Sequence, residues 1–366
     1  MGKKRILTLL VKILFIVCFS FVAGCGGNHS QVIPQPQQPQ PEPPQIPFEP
    51  WDGIIAFRFE EGDDYSSSQL WLITPDDKKM ITDGAYRYGS IRWSPDGKYL
   101  AFRESSKRRL VIASRDGQIL HTFGEADEQI SWSVDSSYVL SGVYFDGIYY
   151  YAIDGSSKRV LPSAYRTYDH NPVQSRDGKW VYFLHHEWEV QCTIYRIETE
   201  KLLKGATYSD CEVIAKITTD SSIRDERVQL EPREDGKIII AYDDYLGLLD
   251  PEAKKLEKIS SGWYSYIRLS PDGKYLATEN TIMDAYTFQK VVKLEVPDYG
   301  SIKSFAWYPD SKALAIAARY YSSPKVRVYI WRFSDPRYQL VFEKTLPKSS
   351  SRYAYGEQSV SISWTR

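Results

Sequence analysis

From Trp51 to the end of the chain, short apolar runs recur, each closed by a turn rich in Asp, Gly and Ser. The runs follow the two-residue period of strands, and no long apolar pattern at the helical period competes with them. The clearest unit reads Ile91-Arg-Trp-Ser-Pro-Asp-Gly-Lys-Tyr-Leu-Ala-Phe102 and returns as Ile267-Arg-Leu-Ser-Pro-Asp-Gly-Lys-Tyr-Leu-Ala-Thr278. Its centre is a tight hairpin: Pro presets φ, Asp bonds back to the backbone, and Gly accepts the positive φ that ends the turn. Where Ser136 and Ser311 replace that Gly, a different turn type is expected.

Weaker copies centre on Asp135, Asp177, Asp235 and Asp310. The intervals Asp96 to Asp135, Asp235 to Asp272 and Asp272 to Asp310 are 39, 37 and 38 residues, the length of one four-stranded propeller blade. Two more strand-like runs follow each hairpin, for example Arg109–Ala113 and Ile119–Phe123. The termini supply a further blade. Ile362-Ser-Trp-Thr-Arg366 repeats Ile91-Arg-Trp-Ser and stops where the turn would begin, while Gly53–Arg58 matches the second strand, Lys98–Arg103. The expected fold is therefore all-β: a single propeller of seven blades closed by its own terminal strands, with six or eight blades as the alternatives. Closure of this kind removes sheet edges that would otherwise aggregate. The longer stretches after Asp177 and Asp310 are expected to hold inserted loops.

The first 24 residues follow different rules. A cationic start (Lys3, Lys4, Arg5), an apolar run from Ile13 to Val22 and a small-residue end have the layout of a secretory signal. Val22-Ala23-Gly24-Cys25 resembles the lipobox of bacterial lipoproteins, which implies cleavage before Cys25 and lipidation of that residue. A short membrane helix is the alternative, since Ile6–Ala23 is just long enough. By the same resemblance, Gly26 in place of Asp leans toward the outer membrane in a two-membrane cell. Residues 25–50, with eight prolines interleaved with Gln, read as an extended tether; Pro34 to Pro50 would reach roughly 50 Å as polyproline II.

Composition narrows the task. Tyr (28) and Trp (10) against Met (3) suit crowded sheets. Lys plus Arg and Asp plus Glu nearly cancel at 46 against 47, and removal of residues 1–24 takes away Lys3, Lys4, Arg5 and Lys12, leaving a net charge of -5. No field recruits nucleic acid, and contact with a membrane is expected through the lipid anchor only. Cys192 and Cys211 are the remaining cysteines of the mature body, a disulfide candidate in an oxidising compartment, with two buried thiols as the alternative.

The Ser-Pro-Asp-Gly-Lys-Tyr-Leu-Ala hairpins are similar to the TolB-type, WD-like propeller repeat, and the resemblance extends over Trp51–Arg366. It implies the fold, while function must be argued from a site. Propeller peptidases with related repeats add an α/β-hydrolase domain carrying Gly-x-Ser-x-Gly, a motif not found in this sequence.

In such a ring the Asp-centred hairpins occupy one face; the loops joining blades share the other with the turns between second and third strands. The joining loops repeat a composition: Tyr86-Arg87-Tyr88, Tyr165-Arg166-Thr167-Tyr168, Trp263-Tyr264-Ser265-Tyr266 and Arg352-Tyr353-Ala354-Tyr355. Tyr, Trp and Arg dominate binding hot spots, so these loops form a candidate binding face for an envelope protein, peptide or glycan. The alternative is that the rings wedge between blades as filler. His170, His185 and His186 are expected to share the same face near Asp169, a candidate metal set whose spacing matches no known motif. No cofactor is implied, and catalysis by a propeller lyase or hydrolase is the rival to a binding scaffold.

Overall fold

Each Asp-centred hairpin does close two antiparallel strands, and seven such hairpins, one of them split between the chain ends, organise the computed structural model. It describes residues 46–366 except 62–66, 83–89, 105–107, 128, 164–166, 187–190, 219–227, 243–244, 263, 265, 321–322 and 347–359. The strands form seven four-stranded antiparallel sheets in a ring, a seven-bladed β-propeller. Blade 1 holds β1 (Ile54–Glu61), β2 (Ser67–Ile73) and β3 (Lys78–Thr82), and its innermost strand is β28 (Val360–Thr365) from the far end of the chain. Blade 2 runs from β4 (Ile91–Trp93) to β7 (Ile119–Glu125), and blade 3 from β8 (Ile130–Trp132) to β11 (Ser157–Pro162). Blade 4 spans β12 (Tyr168–Gln174) to β15 (Glu212–Thr218), and blade 5 spans β16 (Gln229–Pro232) to β19 (Lys255–Ser261). Blade 6 spans β20 (Arg268–Leu269) to β23 (Lys290–Lys293), and blade 7 β24 (Ser301–Trp307) to β27 (Gln339–Thr345).

The closing blade keeps the register of the repeat. Trp364 pairs with Ile55 as Trp93 pairs with Leu100. Ser361 and Ser363 reach sideways from β28 and accept hydrogen bonds from the backbone N–H groups of Ile91 (3.3 Å) and Trp93 (3.0 Å), stitching blade 1 to blade 2. Gly53 stands at the junction with φ +83°, and a Cβ there would lie 2.0 Å from the Thr365 carbonyl oxygen, so only glycine fits.

Blades pack face to face, and alternate residues of one strand feed two different interfaces. On β1, Ile55, Phe57 and Phe59 face blade 7 while Ala56 faces blade 2. Among the described residues seven apolar clusters result, one between each pair of neighbours. Because both faces are covered, middle strands such as Ala313–Arg319 are buried throughout and read as continuous apolar runs.

Two expectations need correction. Ser136 and Ser311 do not change the turn: each adopts φ near that of the Gly it replaces, +64° and +66° against +71° at Gly97. Each Ser Oγ accepts a hydrogen bond from the backbone N–H of the preceding blade's turn, Asp96 and Asp272 respectively, both at 3.0 Å. The left-handed backbone thus carries a cross-blade latch that glycine could not provide.

The second correction concerns the cysteines. Cys192 lies on β14 (Gln191–Glu198) opposite Ile217, buried in the interface with blade 5, whereas Cys211 packs at the interface with blade 3. Cys211 sits one residue before Glu212, which pairs with Arg196, so the two are about five residues apart along the strands, roughly 16 Å. That exceeds the ~7 Å Cα reach of a disulfide, and none joins them. The sequence between them folds as α1 (Thr199–Lys204) and a 3-10 turn, Tyr208–Asp210, which accounts for part of the insertion expected after Asp177. Phe48 and Glu49, at the end of the predicted tether, belong to the propeller: Arg337 stacks on the Phe48 ring at 4.6 Å and Arg332 donates to the Glu49 carbonyl at 3.0 Å.

Candidate functional site

Of the predicted binding-face residues, Tyr86, Arg87, Tyr88, Tyr165, Arg166, Trp263, Arg352 and Tyr353 lie outside the described residues. The two that are described, Tyr168 and Tyr264, are buried. Tyr264 packs between blades 5 and 6, with its hydroxyl 2.7 Å from Ser260 Oγ. At these two positions the aromatic rings are inter-blade packing, the blander of the two expectations.

The histidines sit inside strands rather than in loops. His170 is on β12, and His185 and His186 end β13 (Trp180–His186). Neighbours in a strand point to opposite faces, so the pairing of Tyr168 with His186 and Asp169 with His185 divides the three. His170 and His186 share one face, with ring centroids 5.0 Å apart. His185 turns to the other, where its Nδ1 lies 2.7 Å from Asp169 Oδ1. Among the described residues no group of three or more His, Cys, Asp or Glu side chains is arranged to hold a metal ion.

Asp169, with 0% exposure, is the hub of that second face. Its Oδ2 accepts hydrogen bonds from Ser163 Oγ (2.5 Å) and from the Tyr208 hydroxyl. Burial, then the Asp169 charge, pushes the Tyr208 hydroxyl well above its ordinary pKa, and the same two effects push the Cys211 thiol up to about 12. Ser163 bonds the carboxylate and not the imidazole, so the trio lacks the nucleophile-to-base order of a hydrolase. It clamps β12, β13 and the α1 insertion to blade 3.

The other face leads outward. Tyr168 stacks on His170 at 4.7 Å with rings 5° from parallel, and its hydroxyl donates to the Asp127 carboxylate. Tyr144 packs on Tyr168 at 4.8 Å and on Phe145 at 4.0 Å. Tyr144 and Phe145 form the turn between β9 (Tyr138–Val143) and β10 (Gly147–Ala152), on the same face as the joining loops, and are 52% and 43% exposed. Phe145 has φ +60°, a backbone state that costs a bulky residue about 1–2 kcal/mol. An exposed aromatic pair is thus held on a buried ring column, in a strained turn that a Gly or Asn would fill at lower cost. The fully exposed Tyr299, in the segment joining blades 6 and 7, adds a third ring to this face. Sequence reasoning passed over Tyr144-Phe145 because it looked at joining loops; two aromatics directly before Asp146-Gly147 were the available signal.

The ring axis is polar. The residue four places before each turn Asp is half-buried: Arg92, Ser131, Val173, Glu231, Arg268 and Ala306, with Ser363 in the equivalent place on β28. All of these but Val173 lie between two buried neighbours. Arg268 donates to Glu231 at 3.1 Å. Burial pushes the Glu231 carboxyl up to about 7, against the opposing pull of Arg92, Arg176 and the Leu269 N–H. Since the folded state keeps this proton to higher pH than the unfolded chain, Glu231 contributes stability fully below about pH 4.5 and loses it as the pH rises to about 7. Denaturant titrations at steps across that window should show wild type losing stability relative to Glu231→Gln; a constant difference between the two would remove the effect.

Seven four-stranded blades on a polar axis define a β-propeller. No protein-family model matches the chain, and no curated protein matches it. Among solved structures, the β-propeller domain of Cps50 (Swd1) from Myceliophteria thermophila is 17% identical with a TM-score of 0.51, covering 72% of this chain and 88% of that one. TolB from Acinetobacter baumannii is 14% identical, with a TM-score of 0.47 over 86% of this chain and 67% of its own. Kuenenia stuttgartiensis hydrazine synthase is 17% identical, with a TM-score of 0.47 over 66% and 75%. Likeness at this level extends to the fold. Among the described residues no helix is long and apolar enough to cross a membrane, and Cys25 lies outside them.

Proposed function

We propose that this chain is a lipid-anchored binding scaffold of the bacterial cell envelope, exported and lipidated at Cys25, whose propeller engages an envelope protein, peptide or glycan through its joining face. The observation that carries the binding reading is the exposed Tyr144–Phe145 pair. Rigid aromatic rings offer large contact area at low entropic cost, and the strain at Phe145 is unexplained by packing, since its ring points outward. The lipobox-like Val22–Cys25 and the Pro-rich stretch support the anchor and tether.

The double variant Tyr144→Ser with Phe145→Gly separates binding from folding. Its thermal stability should match or exceed wild type by up to about 1 kcal/mol, because glycine relieves the positive φ. Its complexes in crosslinked envelopes should be lost. A variant that unfolds, or that keeps every complex, would make the pair structural. Cys25→Ser should leave the protein without lipid and out of the membrane fraction, and a lipid-modified product from that variant would overturn the anchor.

A further inference from the structure

The channel holds more positive charge than its own groups neutralise. Three arginines, Arg92, Arg176 and Arg268, act on one carboxylate, Glu231. Arg268 pairs with Glu231 directly. Arg176, on the blade 4 hairpin, is tied to backbone carbonyls of blades 5 and 6, at Pro232 (3.2 Å), Pro271 (2.9 Å) and Ser270 (3.1 Å). Arg92 projects from the blade 2 inner strand, and the groups acting on its charge are Glu231 and Tyr266, from blades 5 and 6. Among the described residues no hydrogen bond or ion pair holds its guanidinium. A charge withdrawn from bulk water without a partner is costly, whereas a planar guanidinium matches a carboxylate with two parallel N–H bonds. One register step toward the joining face, Ser90, Gln129, Asn171, Tyr266 and Ser361 give the channel a polar wall able to bind a small polar ligand.

We propose that the central channel is a carboxylate-binding site, with Arg92 as the residue that grips the ligand. After Glu231 is set against Arg268, one guanidinium remains to be matched, which suits a monoanion; a phosphate dianion would also be repelled by Glu231. The carboxylate enters as a free small acid or as the C-terminus of a peptide. This site is distinct from the Tyr144–Phe145 pair and stands or falls independently of it.

The test is calorimetric titration of the full chain in detergent with acetate, N-acetyl-triglycine and the C-terminal amide of that peptide. Both carboxylates should bind and the amide should not, with acetate equal to the peptide indicating a free acid and a tighter peptide indicating a chain end. Arg92→Gln should weaken binding at least about tenfold, the loss expected for a charge-assisted hydrogen bond. Arg92→Lys, which keeps the charge but not the fork, should fall between, and Lys98→Gln on the exposed hairpin should bind as wild type. The proposal is overturned if no carboxylate binds at millimolar concentration, if the amide binds equally, or if a folded Arg92→Gln or Arg92→Lys protein binds as tightly as wild type.

Discussion

Deletion of Val360–Arg366 is expected to abolish the cooperative unfolding transition altogether. These few residues are the inner strand of blade 1, and Val360, Ile362 and Trp364 bury almost all of their surface in the interface with blade 7. At about 1.5–3 kcal/mol for each large apolar side chain, their loss approaches the whole net stability of an ordinary domain, about 5–15 kcal/mol. The deletion also leaves the β1 edge open and removes the Ser361 and Ser363 acceptors from Ile91 and Trp93. Near-UV circular dichroism and a thermal scan check it: a variant that still melts in one sharp transition would show that the ring does not depend on its terminal strand. Because the closure is a pairing and not a covalent bond, addition of a peptide spanning 360–366 should restore part of the signal.

The second large effect is expected at Asp169. Replacement by Ala leaves the Tyr208 and Ser163 hydroxyls facing an apolar gap, and takes from His185 the carboxylate beside its Nδ1. Buried polar groups left unsatisfied cost about 1–3 kcal/mol each, so a loss of roughly 3 kcal/mol or more is expected from the urea midpoint. Asp169→Asn keeps an acceptor oxygen and should lose about half as much. A loss below about 1 kcal/mol for the Ala variant would mean that the clamp does not hold blade 4 to blade 3.

The ring itself was legible in the sequence, because the same hairpin chemistry returns at Asp96 and Asp272 and the two chain ends are complementary halves of it. What strand patterning does not reveal is which of two equally apolar faces a side chain joins when both are buried. That is why Cys192 and Cys211 looked like partners and belong to different interfaces, and why His170, His185 and His186 looked like one set and form two. Turn identity was misread at Ser136 and Ser311 because a cross-blade acceptor, visible only in three dimensions, offsets the positive φ. The channel charges stood in plain view at one repeat position, Arg92, Glu231 and Arg268, but their convergence needs the ring to be closed.

The central claim, an envelope scaffold that binds through its joining face, is tested most directly by a photo-crosslinking residue placed at Tyr144 in the full chain in living cells. Val134, equally exposed but on the hairpin face, is the matched control position. A discrete crosslinked product at 144 and none at 134 is the predicted result. Identical patterns at both positions, or no product at 144, would contradict it.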